Sequence, residues 1–238
     1  MRRSLAIAAL AVGLAAPAGA ASAATYAVDS ASGSVRIEID GQHDGREGPD
    51  FAQAKATIRW AMTGKKNVVD LDVDELPRAA REPEWPGSPL RGIRGTATGT
   101  ATVAFAGGRT ATCSTSFRRL TKAFFERPGV PTITFVAARR DEKSIVVAID
   151  GLDAYAPFMA TPSCGAVLPG LPLGTVPATG RETRGTAVSL GRLERVDVGE
   201  TLSLGVKRVI PLVGFADGKE TTVATITERA KLVLRRTG

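Results

Sequence analysis

Val35-Arg36-Ile37-Glu38-Ile39-Asp40 alternates apolar and charged side chains with a period of two. In an extended chain successive side chains point to opposite faces, so this stretch has one oily and one wet side. Working outward, the pattern returns at Ala54, Ala56, Ile58, Trp60 and Met62, set against Lys55, Thr57 and Arg59. It returns again where Val69, Leu71 and Val73 alternate with Asp70, Asp72 and Asp74. Residues 94–105 carry threonine at every second place from Thr96 to Thr102. Each stretch predicts a half-buried strand.

Two hairpins follow from turn chemistry. Residues 132–138 and 144–149 flank the charged run Arg139-Arg140-Asp141-Glu142-Lys143. Residues 202–215 lead into Ala216-Asp217-Gly218-Lys219, whose Asp-Gly pair suits a tight turn, and 221–234 return with Ala224, Ile226, Ala230, Leu232 and Leu234 on one face. One stretch argues for helix: Phe117, Leu120 and Phe124 follow helical spacing before Pro128. Segments 76–92 and 156–180 are rich in proline, which lacks the N–H that a ladder needs, so neither reads as a central strand. Short strands separated by turns assemble into antiparallel sheets. The expectation is therefore an all-β fold, a sandwich or Greek-key assembly of about ten strands, with one short helix.

The first 23 residues have another character. Arg2 and Arg3 precede an apolar run from Leu5 to Ala16, and small residues follow Pro17. This is the order of a secretory signal peptide, with Ala21-Ser22-Ala23 as the cleavage motif. The apolar run is too short to cross roughly 30 Å of hydrocarbon, and no later segment reads as transmembrane. The expected product is a single β-rich domain over 24–238, periplasmic or extracellular. The rival division is 24–155 and 181–238, joined by the second proline-rich segment.

The chain's only cysteines are Cys113 and Cys164, and an oxidising compartment predicts a disulfide between them. It would tie the second proline-rich segment to the earlier strands, which favours the single domain. No C-x-x-C pair suggests redox work. His43 is the sole histidine and lies in a glycine-rich turn beside Asp44, Glu47 and Asp50, with which it would make a small metal or acid–base site, but one imidazole cannot by itself fill a closed zinc site and no G-x-S-x-G or S-x-x-K motif accompanies it. Asp70, Asp72 and Asp74 would share one strand face, where like charges invite a calcium ion or a basic partner. They are no EF-hand, because the sixth loop position is Glu75 and the twelfth is Arg81. Trp85, Phe158 and Met159 are apolar side chains on expected loops. They form either a recognition surface or a cover for sheet edges.

The formal charge is +7 over 238 residues. Removing Arg2 and Arg3 takes 31 basic residues to 29, against 24 acidic, a balance of +5. Aromatic residues are 5% of the chain and do not interleave with the basic ones, so a nucleic-acid partner is not expected and outer-membrane girdles cannot be built. Three readings of function remain. The first is an exported, non-catalytic binding or structural module whose partner is an envelope polymer, a carbohydrate or a protein, reached through loops or a sheet face. The second is a glycan-acting hydrolase or lyase using Asp70 and Asp72, or Asp44 and Glu47, as its acids. The third is a carrier of hydrophobic ligands, built as a closed barrel.

Overall fold

The structure is a computed structural model that describes residues 24–41, 51–63, 70–76, 78, 88–92, 94–121, 129–151, 154–167, 176–177, 185–216 and 219–238. The expected architecture is present: two antiparallel sheets, with helix confined to three short turns among the described residues. The signal-peptide reading of residues 1–23, the His43 turn, Trp85 and the Asp217-Gly218 turn fall outside the described residues.

The wide sheet is built from β1 (Thr25–Asp40), β2 (Phe51–Met62), β3 (Asp70–Asp72), β5 (Gly95–Phe105), β6 (Thr110–Phe117), β9 (Val176–Pro177), β11 (Thr201–Ala216) and β12 (Lys219–Arg236). Its order is β6-β5-β2-β1-β12-β11-β9, with β3 pairing the start of β1. The smaller sheet holds β10 (Thr186–Ser189), β8 (Ser144–Asp150), β7 (Thr134–Asp141) and β4 (Ser88–Gly92), in that order. Both expected hairpins form, β7 with β8 and β11 with β12. The two proline-rich segments each contribute a short strand, β4 and β9, at a sheet edge, where a missing N–H costs least.

Alternation fixes which way each long strand faces. Val35, Ile37 and Ile39 turn inward, as do Ala54, Ala56, Ile58 and Trp60 on β2. Phe135, Ile145 and Ile149 of the smaller sheet meet them, and the Trp60 and Phe135 rings pack edge to face with centroids 6.0 Å apart. One continuous cluster of buried side chains runs from Ala24 to Leu234. The smaller sheet is too narrow to cover the whole inner face. Over β5 and β6 the cover is instead two short helices, α1 (Tyr155–Met159) and α2 (Pro162–Gly165). The inward residues of β5 are mostly small, Gly95, Ala97, Gly99 and Ala101, and leave the depth these helices fill.

The helix expected from Phe117, Leu120 and Phe124 is corrected over its first part, the part that the structure describes. Phe117 ends β6, Leu120 is buried beyond it, and residues 122–128 lie outside the described set. A period of two through Cys113, Thr115 and Phe117 overrides three residues at helical spacing, because β6 gains a full ladder with β5. Among the described residues the helical turns are α1, α2 and α3 (Leu190–Glu194), in the second half of the chain.

Candidate functional site

The cysteines behave as expected. Cys113 on β6 and Cys164 on α2 are disulfide-bonded, with their Cα atoms 5.2 Å apart. Beside them the Ser163 hydroxyl donates to the Ser114 carbonyl at 3.1 Å. The pair therefore fastens α1 and α2 to the edge of the wide sheet.

Phe158 is corrected as a recognition residue. Its side chain is fully buried, with the ring resting where a side chain on Gly99 would otherwise stand. Met159 is half-buried against the same core. The reason is the small-residue lining of β5, which makes a socket for an aromatic ring, so Phe158 covers the sheet from within.

The aspartates are also placed differently from the expectation of one strand face. The strand β3 stops at Asp72, and Asp74 lies in the turn after it. Asp72 Oδ1 accepts the backbone N–H of Asp74 at 2.9 Å and of Glu75 at 3.4 Å, which closes the turn. Asp74 Oδ1 accepts from Arg139 of β7 at 3.2 Å, joining the two sheets. The side chain of Asp70 lies outside the described residues, and among those described no group of three metal-ligating side chains comes together. Asp141 is likewise a turn carboxylate: backbone N–H donation from Lys143, then the Ser144 hydroxyl, holds it below the ordinary aspartate range.

Sequence reading missed Glu228. It is fully buried, and its Oε1 accepts the Gly151 N–H at 2.7 Å while Arg208 stands 3.6 Å from Oε2. Arg208 also donates to the Ile149 carbonyl at 3.2 Å. Together they clamp the end of β8 onto β11 and β12. The signal was available, for Glu228 occupies the inward parity shared by Ala224, Ile226, Ala230 and Leu232. Two buried tyrosines complete the interior chemistry. The Tyr26 hydroxyl donates to the Leu193 carbonyl, and burial raises its pKa while Arg236 pulls it down. Burial pushes Tyr155 up to about 12.

What the fold presents outward is the solvent face of the wide sheet. The registers align Ser116, Thr98, Arg59, Ser34, Arg229 and Lys207 in one row across six strands. A second row aligns Ser114, Thr100, Thr57, Arg36 and Thr227. On the third, Lys55 lies between Thr102 and Glu38. Adjacent strands are about 4.8 Å apart and alternate residues about 6.8 Å apart, so this is a lattice of hydroxyls and cations roughly 24 Å wide measured across the strands. Glu38 takes up Arg36 at 2.8 Å and Lys55 at 3.6 Å, and Asp29 takes up Arg235 at 2.6 Å. Arg59, Lys207, Arg229 and Lys231 have no carboxylate within ion-pair distance among the described residues, and all four are exposed.

Among the described residues no helix is long and apolar enough to cross a membrane. Set beside known protein families, curated proteins and solved structures, the chain finds no match in any of the three.

Proposed function

We propose that the chain is an exported, non-catalytic protein of the cell envelope or extracellular space, acting as a binding or structural module through the open face of its wide sheet. The lattice of hydroxyls and cations on that face is the observation that carries this reading. A rigid sheet holds its side chains at fixed spacing, so a repeating partner meets a repeating surface with little ordering cost. The compartment rests on the leader-like first 23 residues and on a disulfide of the kind that persists outside the cytosol. The acid–base reading is weaker because Asp72 is committed to two backbone N–H groups and Asp74 to Arg139.

The test expresses the full chain, sequences the N-terminus of the recovered protein, and incubates it with insoluble envelope polysaccharide. The expected outcome is a chain beginning near Ala24 with Cys113 and Cys164 oxidised, which sediments with the polymer and releases no reducing ends. Reducing ends that appear with the wild type and vanish with Asp72→Asn would overturn it. So would a cytosolic protein with its leader intact and both thiols reduced.

A further inference from the structure

The unpaired cations of the wide sheet point to the chemistry of the partner. Arg229 and Lys207 stand directly opposite each other on β12 and β11, and Arg59 faces Ser34, whose other neighbour is Arg229. Lys231 lies two residues along from Arg229, about 7 Å away on the same face. Like charges directly opposite each other in a sheet are destabilising, and among the described residues no carboxylate lies within ion-pair distance of Arg229 or Lys207. An anion laid across β2, β1, β12 and β11 would supply that missing charge.

Resting on the sheet-face reading above, we infer that this face binds an anionic polysaccharide, with Arg59, Lys207, Arg229 and Lys231 taking the acidic groups of successive sugars and the serine and threonine rows taking their hydroxyls. Three observations favour this polymer. The described residues of the face include no aromatic side chain on which bases could stack. The cations are spread over the outer face of paired strands, whereas single-stranded nucleic acids are held in charged grooves. Ser32, Ser34, Thr98, Thr100 and Thr227 interleave with the cations, so Arg59, Arg229 and Lys231 each have hydroxyl partners beside them, which suits a ligand carrying acids and hydroxyls in alternation.

The experiment measures binding of the mature, oxidised chain to polygalacturonate, with neutral dextran and duplex DNA as separate arms. Polygalacturonate should bind, more weakly as salt rises, while dextran does not. The R59T/K207T/R229T variant should lose about tenfold in affinity or more. Threonine suits strands and already populates this face, so the variant should keep its fold, and an unchanged or higher Tm verifies that. An R78T/R140T/K143T control, which removes the same charge from exposed positions on and beside the smaller sheet, should bind like the wild type. Equal loss in the control reduces the effect to net charge and overturns the site. Tighter binding to DNA than to polygalacturonate overturns the polymer class. Dextran binding that the face variant abolishes, with polygalacturonate ignored, ends the anionic assignment but leaves the sheet-face function standing. No binding in any arm overturns both.

Discussion

At the scale of single residues, the interior is decided by a few polar groups that have no access to water. Glu228 is fully buried and bridges Gly151 and Arg208, so removing its charge leaves a guanidinium half-buried beside an empty acceptor position. Breaking such a pair from one side costs about 3 to 5 kcal/mol. Glu228→Ala is expected to lower unfolding free energy by that amount in a urea titration, while Arg208→Met with Glu228→Leu together restores only part of it, because the buried Gly151 N–H still lacks its acceptor. Tyr155 gives a pH signature. Its folded pKa of about 12 lies above the ordinary 10.0, so the folded state holds the proton more tightly than the unfolded chain. The stability this represents is complete below pH 10 and is lost as pH rises from 10 towards 12, by something on the order of 2 kcal/mol. Thermal melts across that window should steepen downward for the wild type and less so for Tyr155→Phe.

At the scale of elements, β5 and the α1–α2 pair depend on each other. Gly99 has no room for a side chain because the Phe158 ring occupies that space. Phe158→Ala is expected to cost about 3 to 5 kcal/mol by leaving a cavity, and Gly99→Ala to destabilise through overlap with the same ring. The Cys113–Cys164 bond closes a separation of 51 residues, which the chain-entropy account values at about 4 kcal/mol. Its reduction should therefore lower stability comparably and expose Phe158, read as a denaturation midpoint with and without reductant. The strands were legible in the sequence because Val35 to Asp40 and Ala54 to Met62 each bury one face only, and period two is the direct imprint of that burial. The small helices were not legible. The pair α1 and α2 spans 5 and 4 residues, and such turns follow from what the sheet leaves uncovered, not from any local periodicity. For the same reason Phe158 looked like a loop residue, since the socket that receives it is written in Gly95, Ala97, Gly99 and Ala101, some 60 positions away. The cation lattice was missed for a related cause. Arg59, Lys207 and Arg229 are scattered along the chain, and only the registers of four strands bring them into one row.

At the scale of the whole molecule, the two sheets divide the labour. The smaller one covers part of the core and is held by the Arg208–Glu228 clamp and by Asp74 with Arg139. The wide one closes the core on its inner face and presents its charged face to solvent. The substitutions R59T/K207T/R229T touch only that outer face, so core stability and polymer affinity should move independently, a separation that a fold relying on those cations for integrity would not permit.

The neighbouring of β1 and β12 has a temporal consequence. These strands pair from Tyr26 with Arg236 to Ile39 with Ala224, and the Thr25 N–H donates to the Gly238 carbonyl at 3.0 Å. A polypeptide is delivered from one end, by a ribosome or through a membrane pore, so the earliest ribbon to emerge must wait for the latest before its second edge is zipped. In that interval a long unpaired margin, apolar on one side, stands open, which is the kind of exposure that favours annealing to a sibling chain.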